Sequence, residues 1–331
     1  MQILSFIEEV TGFLKSQGIE FACEGNRISF PSKPLDLILV PLGQQCQKKN
    51  AAGNGNTVEG DCTGNGKECV YLYEDRWRCA RSVTSQRLLS RLGKFRRIHA
   101  RLCKVVSVEN CREHGLSPEA FNSKLRKFLD TFHTYGYLKG QTSYLLLYKN
   151  DIIATAQFKQ TYQPHKTVRS LKFEGDLAEN PGKNCQVPPQ KEGPGRKYEW
   201  TRYACLPDVR IAGGMGKVLE QFVRDVRSKH SKEDSARARV EEYRKIAELE
   251  SRQSAEFEVM SYSDNEWSDG DAYRKLGFEH VGSMQPVTYH IDPTTFKRFN
   301  PRQWAALKCK EEYPVIRNLG SRKWIKIFSG F

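Results

Sequence analysis

The sequence predicts an α/β protein made of two units. With 331 residues the chain can bury one large core or two modest ones, so two domains are expected. The second observation is the stretch of residues 198–228, where a glycine-rich loop joins a strand to a helix. The third is the alternation of short strands and helices on both sides of this stretch, which favours sheets covered by helices.

The chain begins with a helix and two short strands. The helical spacing of apolar residues predicts a helix over residues 2–17 that stops at Gly18. Residues 27–30 and 35–40 are apolar runs that each end before a proline, which is typical of strands. Asp36 stands inside the second strand, where an acid costs free energy unless it is paired or functional. It is therefore either a functional ligand or the partner of a nearby Arg or Lys.

Residues 44–68 form a polar segment rich in Gly and Asn, which predicts a flexible loop. A strand over residues 69–73 follows, and then a basic helix that runs to Leu92 and is closed by Gly93. The densest group of basic residues surrounds the end of this helix, and we name it the basic cluster. Its members are Arg91, Lys94, Arg96, Arg97, Arg101 and Lys104.

The charge of the chain bears on its partners. The formal net charge is +14 and the pI is near 9.3. Such an excess of Lys and Arg attracts polyanions by releasing their counterions, so nucleic acid is the first candidate partner and the basic cluster its candidate contact. The alternative is a basic surface without a specific ligand.

The ten cysteines are scattered without a Cys-x-x-Cys pair, and a chain of this length does not need a disulfide framework. An intracellular, reducing compartment is expected. Zinc held by Cys62, Cys69 and Cys79 with His99 is disfavoured, because structural zinc sites use tighter spacings. The sequence contains no apolar run long enough to span a membrane and no basic leader with a cleavage site, so neither membrane contact nor secretion is expected.

The middle of the chain predicts a helix and a hairpin. Ser117 is a typical N-cap, and Pro118 is a typical first helical residue. Residues 144–148 and 152–158 are read as two strands joined by a turn. Residues 159–197 are rich in Pro, Gly, Lys and Gln and are expected to form a long loop, either with a part in choosing the substrate or with none.

The central stretch is expected to bind a phosphate group. A strand over residues 198–206 leads through a glycine-rich loop, residues 208–216, into a helix over residues 217–228. Such a junction leaves backbone N–H groups free at the helix N-terminus, where the helix dipole is positive. A charged helical insert over residues 231–255 follows and is expected to face solvent.

The last third of the chain predicts further strands. After a strand over residues 257–263 and a short helix over residues 271–278, residues 279–282 and 286–291 are expected to form a closing pair of strands. The tail then alternates basic and aromatic residues. That mixture suits contact with nucleic acid, and it equally suits an ordinary surface strand.

Two motifs resemble the GNAT superfamily of acetyltransferases. Gly214-Met-Gly216 fits the glycine pair of the family's loop, and Tyr273-Arg-Lys275-Leu-Gly277-Phe278 fits its later helix. The sequence departs from the family at the first loop position, where Ile211 stands and Arg210 is one residue out of register. The resemblance implies a mixed-sheet domain over residues 97–331 that binds acetyl-CoA or another acyl-CoA. The residues implied for this binding are Arg210, Ile211, Gly213, Gly214, Met215, Gly216 and Lys217.

The resemblance also implies direct acyl transfer to an amine, with the thioester in a gap between two neighbouring strands that part after Leu206. Tyr273 matches the position from which family members protonate the leaving thiolate; its alternative is a core aromatic whose hydroxyl reaches solvent. Glu199 is the candidate base that deprotonates the amine. Its alternative is an ion pair with Arg202 or Arg210.

The N-terminal part has a resemblance of its own. Its order of elements, with Leu35-Asp-Leu and Glu74-Asp-Arg-Trp77, resembles phage homing-endonuclease-like proteins, in which a nuclease half similar to very-short-patch-repair enzymes precedes a GNAT-like half. Such nucleases hold Mg²⁺ with an aspartate and a later glutamate, because hard cations prefer carboxylate oxygens. Asp36 matches the aspartate, but Gln47, a poorer ligand, stands at the second position. The resemblance therefore implies a small, eroded restriction-endonuclease-like α/β domain over residues 1–96.

The function expected from the sequence is a GNAT-type N-acyltransferase that moves an acyl group from acyl-CoA to an unknown amine on or near nucleic acid. The alternative is a DNA-binding protein derived from a mobile homing endonuclease, with weak or no nuclease activity. Mg²⁺ would be needed only if the nuclease half were active.

Overall fold

The computed structural model describes residues 5–43, 67–162, 196–237, 257–307 and 313–329. It is an α/β protein with mixed sheets, as the sequence predicts. Gln47, nearly all of the predicted loop 44–68, most of the predicted loop 159–197 and most of the insert 231–255 lie outside the described residues.

The first unit is a four-stranded sheet with helices on one face. Helix α1 (Phe6–Ser16) precedes β1 (Ala22–Glu24), β2 (Arg27–Ser29), β3 (Leu35–Val40) and β4 (Glu68–Tyr73). The strands lie in sequence order, and only β3 and β4 run parallel. Ser5 and Glu8 form a capping box, which explains why α1 starts at Phe6.

The basic helix predicted after β4 is divided into two. Helices α2 (Glu74–Cys79) and α3 (Arg81–Arg91) meet at Ala80, whose backbone is not helical. The hydroxyl of Thr84 donates to the carbonyl of Arg76 at 3.0 Å and braces this corner. Both helices pack with α1 on one apolar core, which includes Trp77.

The rest of the chain supplies twelve described strands and four described helices. The strands are β5 (Arg96–His99), β6 (Lys104–Ser107), β7 (Thr142–Tyr148), β8 (Asp151–Tyr162), β9 (Arg196–Cys205), β10 (Val209–Ala212), β11 (Phe257–Asp264), β12 (Glu279–Met284), β13 (Thr288–Ile291), β14 (Arg298–Phe299), β15 (Val315–Arg317) and β16 (Ser321–Phe328). The helices are α4 (Pro118–Phe132), α5 (Gly214–Arg237), α6 (Asp271–Lys275) and α7 (Pro301–Ala306), and short 3₁₀ turns lie at Ala100–Leu102 and Cys111–His114.

Seven strands form the large sheet, in the order β12-β16-β11-β9-β8-β7-β6. Among these strands β9 and β11 are the one parallel pair, and all other neighbours are antiparallel. Alternate side chains of β7 show that both faces are covered, since successive residues of a strand point to opposite sides. Tyr144 and Leu146 pack with α5, whereas Leu145 and Leu147 pack with α4.

The prediction of a glycine-rich loop over residues 208–216 is wrong in part. Residues Val209–Ala212 form β10, which pairs in parallel with β5, and α5 begins at Gly214 instead of at residue 217. The reason is tertiary: Val209 and Ile211 are buried in the large core, and the edge of β5 takes up their backbone hydrogen bonds.

The closing pair of strands predicted over residues 279–282 and 286–291 is also wrong. Strand β12 pairs with β16, whereas β13 joins β14 and β15 in a separate three-stranded sheet. Strand β16 comes from the tail and lies between β11 and β12. Its Trp324 is only 3% exposed and belongs to the large core, so this part of the tail is a core strand.

The two units pack against each other. The face of the first sheet opposite α1 contacts the three-stranded sheet, through a cluster that includes Ile38 and Ile316. Trp267, which follows β11, lies in the core of the first unit. The backbone N–H of Tyr71 also donates to the carbonyl of Glu266 at 2.8 Å. Residues 1–96 and 97–331 are therefore joined by both apolar and polar contacts.

Two further findings concern membrane spans and cysteines. None of the described helices has the length and apolar character that a membrane crossing requires. Cys69 forms a disulfide, which differs from the expectation of reduced cysteines and removes this residue as a zinc thiolate. Among the cysteines that the structure describes, the free thiols are Cys23, Cys79, Cys103, Cys111 and Cys205.

Candidate functional site

A gap opens between the two parallel strands of the large sheet. Strands β9 and β11 pair only from Arg196 and Phe257 to Glu199 and Met260, although both strands continue. The sequence analysis predicted that two neighbouring strands part after Leu206, and this position is therefore wrong. The cause is a β-bulge at Thr201: consecutive residues of β8 face Arg202 and Trp200 and skip it, which bends β9 away from its neighbour.

The N-terminus of α5 follows a glycine turn. Gly213 is exposed and has a φ of +79°, which glycine adopts without strain and which lets the chain turn from β10 into the helix. The first hydrogen bond of the helix runs from the N–H of Lys217 to the carbonyl of Gly213, at 3.0 Å. The amides of Gly214, Met215 and Gly216 precede it and have no acceptor within the helix. The helix dipole makes this end attractive to anions.

The glycine pair is required by close packing. A Cβ atom on Gly214 would lie 2.7 Å from the hydroxyl oxygen of Tyr203 and 2.8 Å from a methyl carbon of Ile211. A Cβ atom on Gly216 would lie 3.3 Å from a methyl carbon of Leu276, just after α6. The first turn of α5 therefore contacts both β9 and the segment that carries Tyr273. Ile211 is a core residue, 8% exposed.

The two charged residues predicted for the cofactor differ in their surroundings. The ammonium of Lys217 donates to the carbonyls of Ala100 and Cys103, at 3.0 and 2.5 Å, and so braces the turn after β5. Arg210 is exposed on β10, and its guanidinium lies 5.2 Å from the ring centroid of Phe95. Arg97 is its cross-strand neighbour on β5. Two cations therefore stand side by side ahead of the glycine turn.

Tyr273 lies where β9 and β11 part. The Oγ atom of Ser261 is 2.8 Å from the Tyr273 hydroxyl and 3.0 Å from the carbonyl of Trp200, and it thus bridges β11 to β9 beyond their last backbone pair. The Tyr273 ring also stacks on Trp324. Burial raises the pKa of Tyr273, against the opposing effect of the Ser261 hydrogen bond. The phenol is therefore a proton donor at neutral pH.

Glu199 lies on the opposite face of the sheet at the same point. Tyr198 and Trp200 pack on the α5 side, so Glu199 points away from α5. Burial, and then the charge of Glu199, raises the pKa of Tyr262. Among the described residues, neither Arg202 nor Arg210 forms an ion pair with Glu199 within 4.0 Å.

The basic cluster divides into one paired residue and five exposed ones. Arg91 forms an ion pair with Glu68 at 2.6 Å and also donates to the carbonyl of Trp267. The other five side chains are exposed and form no ion pair with a described carboxylate. These five are Lys94, Arg96, Arg97, Arg101 and Lys104.

Asp36 is fully buried and paired. Arg27 donates two hydrogen bonds to it, and the ammonium of Lys67 lies 3.8 Å away. Burial works to raise the pKa of Asp36, but hydrogen bonds from Arg27 and Ser29 and the charges of Arg27 and Lys67 outweigh it and lower the pKa. Gln47 lies outside the described residues. Within the described parts of the chain, no group of three His, Cys, Asp or Glu side chains is arranged to hold a metal ion.

Two polar groups were not predicted from the sequence. One is the contact of Arg76 and Arg202 with Tyr135, and the other is the buried ion pair of Arg298 with Asp75 and Glu266. Their members are far apart in the chain and belong to different helices, strands and loops, so no local spacing signals them. In the sequence, the charged residues that stand between apolar positions of α2 and β9 are the pattern that could have indicated these contacts.

No protein-family model matches the chain, and no curated protein matches it either.

Proposed function

We propose that the C-terminal unit is a GNAT-type N-acyltransferase that uses acetyl-CoA or another acyl-CoA. The observation that carries the proposal is the parting of the parallel strands β9 and β11 beside the free amides at the start of α5. The order of strands in the large sheet, with the tail strand β16 between β11 and β12, is also consistent with that family's mixed sheet.

The start of α5 and the neighbouring strands would hold the diphosphate. The amides of Gly214, Met215 and Gly216 would donate to it, and Arg97 and Arg210 would add positive charge. Lys217 contributes less than the family pattern implies, because its ammonium is held by two carbonyls. When bound, acyl-CoA would supply the acyl group as a thioester.

Two side chains then handle protons on opposite faces of the gap. Glu199 accepts a proton from the acceptor amine, whose nitrogen forms the new bond to the acyl carbon as the carbon–sulfur bond breaks. Tyr273 donates its hydroxyl proton to the departing thiolate. Removing either group by Glu199→Gln or Tyr273→Phe is expected to lower kcat by about 10²–10⁴-fold. The readout is release of free thiol from acetyl-CoA with a panel of amines.

Calorimetric titration of acetyl-CoA tests cofactor binding directly. Gly214→Trp would abolish binding, but it would also disturb the fold, because Gly214 has no room for a side chain. Arg210→Glu is the sharper variant, since Arg210 is exposed and its reversal repels a diphosphate. Lys124→Glu, an equal charge change at an exposed position of α4, is the control. No binding by the wild type at millimolar acetyl-CoA would remove the proposal.

Nucleic acid is the proposed partner, because five exposed residues of the basic cluster have no described carboxylate partner. Duplex DNA affinity, followed by anisotropy, should fall steeply with salt, and each lost phosphate contact should lower the log–log slope by about 0.9. Arg97→Gln should lower the slope by about this amount and Lys124→Gln should not. A flat salt response would contradict the assignment.

The second candidate is a DNA-binding protein derived from a mobile homing endonuclease, without cleavage. The ion pair of Asp36 with Arg27 favours it, because a paired, buried carboxylate is a poor Mg²⁺ ligand. Plasmid DNA should therefore stay intact in the presence of Mg²⁺. Nicking that disappears in Asp36→Ala would show that the nuclease half is active.

A further inference from the structure

An exposed aromatic ring lies on the face of β9 that carries Glu199, and two guanidinium groups lie over part of it. The ring is that of Tyr135, between α4 and β7, and the side chain is 61% exposed. The guanidinium carbon of Arg76 lies 5.3 Å from the ring centroid, and that of Arg202 lies 5.7 Å from it. Arg76 Nη2 also donates to the Tyr135 hydroxyl at 3.1 Å.

The bulge in β9 places Arg202 on this face. Without the extra residue at Thr201, Arg202 would share a face with Trp200. With it, Tyr203 packs on the α5 side with Trp200, and Arg202 points to the other side with Glu199. Arg76 arrives from α2 of the first unit. The site therefore exists only where the two units meet.

The backbone around Tyr135 is held before any ligand arrives. Arg202 Nε donates to the carbonyl of Gly136 at 3.0 Å, and the N–H of Tyr135 donates to Nδ1 of His133 at 3.1 Å. Gly136 has a φ of +62°, and a Cβ atom there would lie 2.8 Å from a carboxylate oxygen of Asp130. An exposed ring on a braced segment loses little freedom when it binds, which favours a binding role.

The charge at this site attracts anions. Among the described residues, neither Arg76 nor Arg202 has a carboxylate within 4.0 Å. Burial, followed by the charges of Arg202 and Arg87, lowers the pKa of His133 to about 3. The imidazole is therefore neutral at physiological pH and adds no charge to that of the two guanidinium groups.

We propose that Arg76, Tyr135 and Arg202 bind single-stranded nucleic acid, with one base stacked on the Tyr135 ring and its flanking phosphates at the two guanidinium groups. A flat exposed ring beside cations that have no carboxylate within 4.0 Å among the described residues suits an unpaired nucleotide, because every base has a face for stacking. A duplex offers the phosphates but keeps its bases stacked on each other. The inference deepens the proposed function, and rests on it, in naming the macromolecule that carries the acceptor amine to Glu199.

Fluorescence anisotropy with two labelled 15-nucleotide single strands tests the site, one strand of mixed sequence and one of abasic sugar-phosphate. Wild-type protein should prefer the strand with bases. Tyr135→Ala should weaken that binding by about tenfold to a hundredfold and remove the preference, because stacking on one aromatic ring is worth about this much. Tyr135→Phe should retain both affinity and preference.

Control variants separate stacking from charge and from folding. Ile327→Ala removes a side chain of similar exposure, 55%, from β16 and should change nothing. Arg76→Gln should lower the log–log salt slope by about 0.7, the value per phosphate of a single strand. Lys124→Gln should leave the slope unchanged. The Tm of each variant shows whether the fold is intact.

Several results would overturn the inference. The first is equal binding of the two strands by the wild type, and the second is unchanged binding by Tyr135→Ala. The third is that polyglutamate competes for the site as effectively as the single strand does, which would mean that the site binds an acidic peptide. A large loss of Tm in Tyr135→Ala with intact binding would mean that the ring only joins the two units. Acetyl-CoA titration of the same proteins separates this inference from the proposed function. A protein that does not bind acetyl-CoA but still binds the strand would remove the transferase proposal alone.

Discussion

Arg298 lies buried between two carboxylates at the junction of the units. Its Nε atom is 2.5 Å from Asp75, on α2, and its Nη1 atom is 3.3 Å from Glu266, which follows β11. The three side chains are 7%, 1% and 4% exposed. Burial lowers the pKa of Arg298, but the two carboxylates outweigh this effect and raise it. The guanidinium therefore stays charged and lies between two acids that have little access to water.

Replacing this cation should be costly. Arg298→Met leaves Asp75 and Glu266 buried without their partner, and the free energy of unfolding should fall by about 3–5 kcal/mol. Urea unfolding measures the change. Arg274→Gln, which removes an exposed pair with Asp271, should cost under about 1 kcal/mol. A loss below about 1 kcal/mol for Arg298→Met would show that the pair contributes little.

Glu266 should make stability depend on pH. Burial is the main cause that raises its pKa from 4.5 to about 7, against the charge of Arg298. The folded protein therefore binds the proton more tightly than the unfolded chain. The stability from this group is fully present below pH 4.5 and is lost as pH rises to about 7. His133, with its pKa lowered to about 3, has the opposite sign and destabilises the fold as pH falls below 6.5.

The two effects are separated by substitution. In Glu266→Gln the loss of stability between pH 5 and 7 should be smaller than in the wild type, because only the opposing His133 contribution and other groups remain. Urea midpoints at several pH values provide the measurement. Parallel pH profiles for the two proteins would mean that Glu266 is ionised throughout this range.

At the scale of elements, α5 depends on glycine for its contact with β9 and β10. Gly214→Ala should lower the free energy of unfolding by about 1–3 kcal/mol, because the new methyl group would overlap Tyr203 and Ile211. Gly216→Ala is the matched control. Its methyl group meets only the mobile end of Leu276, so the change should stay under about 1 kcal/mol. Equal effects at the two positions would contradict the packing described here.

At the scale of the whole molecule, the shared core predicts one unfolding transition. Leu37→Ala in the first sheet and Leu146→Ala in the large sheet each empty a fully buried position. Each should lower the same single midpoint, since losses of about 2–5 kcal/mol are typical of such changes. Calorimetry, with agreement between the calorimetric and van't Hoff enthalpies, is the measurement. Two separate transitions would mean that the units fold independently.

Elements with strong local signals were predicted correctly. The helix α4 begins at Pro118 after the N-cap Ser117, and β3, β4 and the β7–β8 hairpin lie where the apolar runs place them. Strand β8, however, continues to Tyr162 and so occupies the start of the loop predicted over residues 159–197. The end of α1 near Gly18 also follows from local sequence. These features depend on hydrogen bonds and φ angles within a few residues, so the sequence is sufficient to specify them.

Only part of the candidate site could be predicted from local sequence. Gly213 to Gly216, Tyr273 and Glu199 stand out as motif positions, but the bulge at Thr201 that opens the gap depends on a register with β8. The engagement of Lys217 by Ala100 and Cys103 depends on a turn more than a hundred residues earlier. Such contacts join residues far apart in the chain, so no local sequence pattern predicts them.

The sequence by itself determined the helices and strands with strong local signals, the positive charge and the glycine turn, because each arises from neighbouring residues or from composition. Only the tertiary structure decided which strands are neighbours, that the tail strand β16 enters the large sheet, and that Asp36 is paired with Arg27. It also brought Arg76, Tyr135 and Arg202 together from separate elements. The physical reason is that strand pairing and burial are set by the whole core, in which distant residues compete for the same partners.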